Sequence, residues 1–256
     1  MHVFRSSLLA VALLVTPALA LASSAGQKHP EQLEWSFDGV LGKLDKPSVQ
    51  RGLQVYKEVC AACHGLKRVP FRKLTDIGFS EAEAKAFAAE YTVTDGPNDE
   101  GEMFDRPGRL SDKFPSPYAN DNAARSMNNG AMPPDLSLII KARPDGANYV
   151  HALLVGYEDA PHDVSVPEGA YYNPYFPGGI IKMPPPIADG QVTYQNAETP
   201  TTKDQIARDV VNFLQWAAEP EMEERKRMGI KVMIFLAIMT GVFYATKKRI
   251  WSNLEH

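Results

Sequence analysis

Apolar positions along this chain form two helical stripes and two nearly unbroken runs. Val49, Leu53, Tyr56 and Cys60 follow one another at intervals of four, three and four, which predicts a helix with one buried face. Pro47 and Ser48 suit its start, and Gly52 lies on the same face as Tyr56. Ile206, Val210, Phe213 or Leu214, and Ala217 repeat the pattern. Thr202 and Gln205 form a candidate capping box for this second helix, and Pro220 marks its end. A third helix is expected around Tyr149 to Gly156. Both stripes read as hydrophobic core, so these helices build a pocket rather than perform chemistry.

The first apolar run, Leu8 to Val15, follows Arg5 and precedes Pro17 and the small-x-small sites Ala18-Leu19-Ala20 and Ala20-Leu21-Ala22. That pattern predicts a secretory signal over residues 1–22. It is short and poor in arginine, which favours bacterial export over an organellar transit sequence. The second run, Val232 to Thr246, carries no charge, and Met228 to Ile230 extends it across Lys231. Its length approaches the roughly 20 residues of a spanning helix. Arg225, Lys226 and Arg227 flank one end and Lys247, Lys248 and Arg249 the other, so the basic residues alone fix no orientation. The export signal sets it: residues 23–224 form an exported domain, and residues 225–256 form an anchor with a short cytoplasmic tail. A buried core helix is the competing reading of the second run.

Composition adds bounds. The 256 residues, 44% hydrophobic and 23% charged, suit one or two globular domains. Many of the 20 prolines fall between Pro161 and Pro186, which predicts a long irregular segment. The net charge of −4 conceals an asymmetry: 19 basic and 30 acidic residues from Ser23 to Glu224, against seven basic and one acidic from Arg225 onward. So acidic an exported part argues against a nucleic-acid partner. It would attract a basic protein instead.

Only two cysteines occur, three positions apart, in Val59-Cys60-Ala61-Ala62-Cys63-His64, so a disulfide framework is excluded. Cys-x-x-Cys-His is the attachment signature of c-type haem. Positions three apart share a helix face, so both thiols reach the vinyl groups of one porphyrin edge while the histidine meets the iron. A zinc site lacks its second ligand pair here. A thioredoxin-like motif lacks its βαβ surroundings. One covalent haem c, held by Cys60, Cys63 and His64, is therefore expected. An electron-transfer haem usually takes a second axial ligand, histidine or methionine. His2 leaves with the signal, His256 lies beyond the span, and His151 suits a structural role; His162 stays open. Met183, in Lys182-Met183-Pro184-Pro185-Pro186, sits on a loop that the prolines hold extended. Met132, before Pro133 and Pro134, is its rival.

Several segments together resemble the cytochrome c1 family. These are Arg51 to His64, Asn128 to Ser137, Tyr171 to Gly179, Lys182 to Pro186 and Trp216 to Pro220, within a stretch from about Trp35 to Trp251. The resemblance implies a mainly α, class I cytochrome c-like domain with loop insertions and one C-terminal transmembrane helix. It implies Met183 as the axial methionine and Arg125 as the arginine beside a haem propionate. It implies a redox subunit of a quinol–cytochrome c reductase in a bacterial inner membrane, haem domain in the periplasm, with no quinol chemistry of its own. Its partners would be a cytochrome b subunit, a Rieske iron–sulfur protein, a soluble or tethered cytochrome c, and membrane lipid. Some bacterial relatives carry a disulfide near the methionine loop, and this sequence has no cysteines for one. Glu81, Glu83, Glu90, Asp95, Asp99, Glu100, Glu102 and Asp105, against Lys85 alone, offer a candidate docking surface for a basic cytochrome. A solvated loop is the plainer reading.

Overall fold

A computed structural model of the chain describes residues 27–252. The expected signal segment at 1–22 and the last residues, with His256, lie outside them. The architecture is mainly helical, as expected. Helix α1 spans Lys46–Val55 and α2 Glu81–Ala89; α3 spans Asp121–Met127, α4 Gly146–Val155, α5 Lys203–Ala218 and α6 Met222–Trp251. Two short antiparallel pairs complete it, β1 (Thr92–Asp95) with β2 (Phe104–Pro107) and β3 (Tyr171–Tyr172) with β4 (Ile180–Ile181). The segment between Pro161 and Pro186 is irregular apart from the small β3–β4 pair.

The two sequence stripes meet each other. Val49, Leu53 and Tyr56 on one side, and Ile206, Val210, Phe213 and Leu214 on the other, are all buried. The Tyr56 and Phe213 rings lie 5.6 Å apart, and Phe213 continues to Trp216 at 5.5 Å. Each such side chain contributes about 1.5–3 kcal/mol by leaving water. Gly52 makes the crossing possible, because a Cβ there would run into the backbone carbonyl of Asp209 and the Cβ of Phe213. A second aromatic group, Phe71, Phe87, Tyr91 and Phe114, joins a 3₁₀ turn at Phe71–Ile77 to α2.

Local starts and stops differ from the sequence reading in detail. Helix α1 starts where Pro47 and Ser48 suggested, with both in its first turn, and Asp45 caps it, its carboxylate accepting the Ser48 N–H at 3.4 Å. At α5 only half of the capping box forms. Thr202 Oγ1 accepts the Gln205 N–H at 3.2 Å, but the Gln205 amide donates to Asp209 at 3.1 Å instead of serving the cap. The stretch Glu81–Asp105 is not a loop but α2 followed by the β1–β2 hairpin, with Ser80 and Glu83 closing a full capping box.

Helix α6 holds 30 residues and is long and apolar enough to cross a membrane. Ile234, Phe235, Ile238 and Phe243 are each more than half exposed in the chain, so a buried core helix does not describe it. Its first residue, Met222, is buried against the domain.

Candidate functional site

The thiols of Cys60 and Cys63 lie on one turn that continues α1. The chain widens to a π turn at Tyr56–Cys60 and then closes, with the Cys63 and His64 amides both donating to the Cys60 carbonyl, at 3.1 and 2.9 Å. Both cysteines are free and half-buried. Burial pushes the Cys60 thiol up to about 12.

His64 is held by its outer nitrogen. Nδ1 lies 2.8 Å from the Pro134 carbonyl, which can only accept, so Nδ1 carries the proton and Nε2 keeps its lone pair. Burial lowers the imidazole's pKa, outweighing that carbonyl and Asp135. A neutral imidazole fixed through its far nitrogen is the arrangement a metal-bound histidine needs. Three further contacts lock the same segment. The Leu136 N–H donates to the Gly65 carbonyl at 2.9 Å, the Lys67 N–H to Asp135 at 2.8 Å, and the Tyr56 hydroxyl to the His64 carbonyl at 2.9 Å.

The candidate sixth ligands separate. His162 is exposed in a turn. His151 is buried in α4 and faces Asp204 at 2.9 Å, the structural role expected of it. Met132 is 41% exposed, and Met183 is half-buried. The Met183 carbonyl accepts the Tyr157 hydroxyl at 2.9 Å, and its neighbour Lys182 donates to the Asn129 carbonyl at 2.7 Å. The Lys182 contact brings the methionine loop against the Asn128–Ser137 segment that also holds His64. Arg125, exposed on α3, donates to the Gly130 carbonyl at 3.4 Å and lies 3.9 Å from the Met132 sulfur. It has no carboxylate partner among the described residues.

A haem fits this donor set. Two free thiols share a turn, a neutral histidine offers one nitrogen, a half-buried thioether sits on a braced loop, and a guanidinium lacks an anion.

His151 gives the domain a pH dependence. Burial lowers its pKa, and Asp204 only partly opposes this because that carboxylate is 58% exposed and screened by water, while Arg208 also lowers it. The unfolded chain therefore takes up the proton first. Stability is full above the unfolded value of about 6.5 and falls as pH drops through it toward the folded value. His151→Gln should flatten that decline in melting temperature between neutral and mildly acidic buffer, relative to the parent chain.

The family model described as Cytochrome C1 family matches residues 35–254. "Cytochrome c1" of Rhodospirillum rubrum is 44% identical over 270 residues, covering 99% of each chain. "Cytochrome c1 1, heme protein, mitochondrial" of Arabidopsis thaliana is 52% identical over 242 residues, 94% of this chain and 78% of the relative. "Cytochrome b/c1" of Bradyrhizobium diazoefficiens is 48% identical over 272 residues, 95% of this chain, which spans 39% of that protein's length.

Proposed function

Because the chain belongs to the cytochrome c1 family, we propose that it is the haem-carrying electron-transfer subunit of a membrane-bound quinol–cytochrome c oxidoreductase. It receives single electrons from a Rieske iron–sulfur protein and passes them to a soluble or tethered cytochrome c, while quinol is oxidised in a cytochrome b subunit. A relative whose name joins cytochrome b to c1 supports that last pairing. The observation that carries the reading is the Cys60–Cys63–His64 turn with His64 oriented by the Pro134 carbonyl.

One haem c, when bound, supplies reversible one-electron exchange at iron. Cys60 and Cys63 would hold it through thioether bonds. His64 would offer Nε2 to the iron, with Pro134 keeping the ring from turning. Met183 would offer its thioether to the iron, and a methionine ligand raises the potential toward that of a cytochrome acceptor. Arg125 would supply its unpaired charge to a haem carboxylate. Residues 1–22 act as the export signal, 23–224 as the periplasmic haem domain, and α6 as the anchor within 225–256, with the C-terminus in the cytoplasm of a bacterial inner membrane.

The acidic surface contributes less charge to docking than its sequence promises. Glu90 is paired with Lys57, Asp95 with Arg106 at 2.5 Å, and Glu83 is used by the α2 cap. Glu81, Asp99, Glu100 and Glu102 are exposed without an ion pair among the described residues. Replacing these four by their amides should weaken the salt dependence of cytochrome c reduction, whereas Glu90→Gln should leave it near the parent slope.

The function is tested by purifying the C-terminally tagged chain from gently solubilised membranes. Co-purification of b-type haem, an iron–sulfur protein and quinol–cytochrome c reductase activity is the expected result. Arrival of the chain alone, with one c-type haem, identifies a free-standing tethered carrier instead.

A further inference from the structure

The segment Ser36–Lys43 forms a closed loop at the root of α6. Its ends are tied by the Lys43 N–H donating to the Ser36 carbonyl at 2.8 Å, and the Asp38 N–H donates to the Trp35 carbonyl at 3.0 Å. Trp35 and Phe37 stack with centroids 5.5 Å apart and are buried, so the loop has a firm base. Gly42 lets it close, because a Cβ there would collide with the Asp38 carbonyl. At the tip the pattern reverses. Val40 and Leu41 are 69% and 78% exposed, and Leu41 is the most exposed large apolar side chain among the described residues. A tight loop that holds two aliphatic residues outward costs free energy in water and implies an apolar surrounding.

The loop is fastened to α6. Lys226 Nζ donates to the carbonyls of Phe37 at 2.6 Å and Gly42 at 3.2 Å, and the Leu44 N–H donates to Glu223 at 3.1 Å. The apolar run of α6 begins at Met228, two residues beyond Lys226, or roughly 3 Å along the helix axis. The polar layer of a bilayer is about 5–8 Å deep on each side of the hydrocarbon. The rim of the loop therefore lies at headgroup level when α6 spans. From that rim two residues of chain reach up to about 7 Å further. Lys43, Lys46 and Arg227 are exposed around it, interleaved with the exposed carboxylates of Asp38, Asp45, Glu221 and Glu224, a collar of mixed charge suited to the polar headgroup layer.

We infer that the Ser36–Lys43 loop is an interfacial membrane contact, in which Val40 and Leu41 enter the acyl boundary of a lipid leaflet while the mixed-charge collar stays among the headgroups. This rests on α6 being a membrane span, and it gives the haem domain a second foothold on the same leaflet. The occupant is lipid because the loop is continuous with the span at the level where lipid begins.

The test is nitroxide labelling of Leu41→Cys in the full-length, haem-loaded chain, reduced so that the iron is diamagnetic. The chain is reconstituted into vesicles of phosphatidylcholine with phosphatidylglycerol. Power saturation with oxygen and with a water-soluble nickel chelate reports depth. Ile234→Cys calibrates the hydrocarbon and Asp99→Cys the water, and the parent chain supplies the blank. The Leu41 label should respond to oxygen more than to nickel, falling between the two calibrators, and should move toward water in Val40→Ser. A Leu41 label as nickel-accessible as Asp99, with Ile234 in lipid, overturns the loop contact alone. A label shielded from both reagents means protein covers the tip and also overturns it. An Ile234 label in water sinks the span, and with it the premise.

Discussion

Met183→Leu should lower the midpoint potential of the haem by a few hundred millivolts, a sizeable part of the roughly 0.8 V that axial ligands command, and should let carbon monoxide bind the reduced protein. The side chains are similar in volume, so the backbone has no reason to move. Its supports are independent of the sulfur: the Tyr157 hydroxyl on the Met183 carbonyl and Lys182 on the Asn129 carbonyl. Three prolines follow and keep the loop extended. The change therefore removes the ligand and little else. Met132→Leu is the matching control, and at 41% exposure it should leave potential and carbon monoxide binding as they were. If Met132→Leu opens the iron and Met183→Leu does not, the two methionines have been assigned the wrong way round.

The second large effect concerns stability. Asp209 is fully buried on α5 and accepts from Ser48 Oγ at 2.7 Å, Arg51 Nε at 2.9 Å, Arg51 Nη2 at 2.7 Å and Gln205 Nε2 at 3.1 Å. Arg51 supplies the only charge in that set. Arg51→Met leaves a carboxylate inside the α1–α5 crossing with no cation, a loss of about 3–5 kcal/mol. Arg51→Met with Asp209→Leu should recover a good part of it, since an apolar pair of similar volume avoids the buried charge. Thermal unfolding of the detergent-solubilised, haem-loaded chain measures both. A single variant as stable as the parent would show that water reaches Asp209.

What the sequence made legible was periodic or local. The stripe from Val49 to Cys60 and that from Ile206 to Ala217 locate the two crossing helices, and the uncharged run from Val232 locates α6. The cysteine pair and histidine are close in sequence, so their shared turn was readable as well. What stayed hidden depends on contacts far along the chain. Pro134 reaches His64 across 70 residues through a backbone carbonyl, a group every residue possesses. Asp209 falls among the polar positions of its stripe, yet it is buried because Arg51, 158 residues away, meets it. Arg106, one position beyond the acidic stretch, pairs with Asp95 and Asp112, and so reduces the charge that a count from Glu81 to Asp105 had assigned to a surface.

The passage from α5 to α6 carries a mechanical consequence. Only Glu219, Pro220 and Glu221 separate Ala218 from Met222, and Glu219 is clamped on both sides, by Lys141 at 2.7 Å and by Arg225. A proline and a doubly held carboxylate leave that junction without slack. The domain therefore meets α6 through a short, braced junction that resists bending. If the chain carries electrons as proposed, most of the travel needed to bring them in or take them out falls to the molecules that visit it.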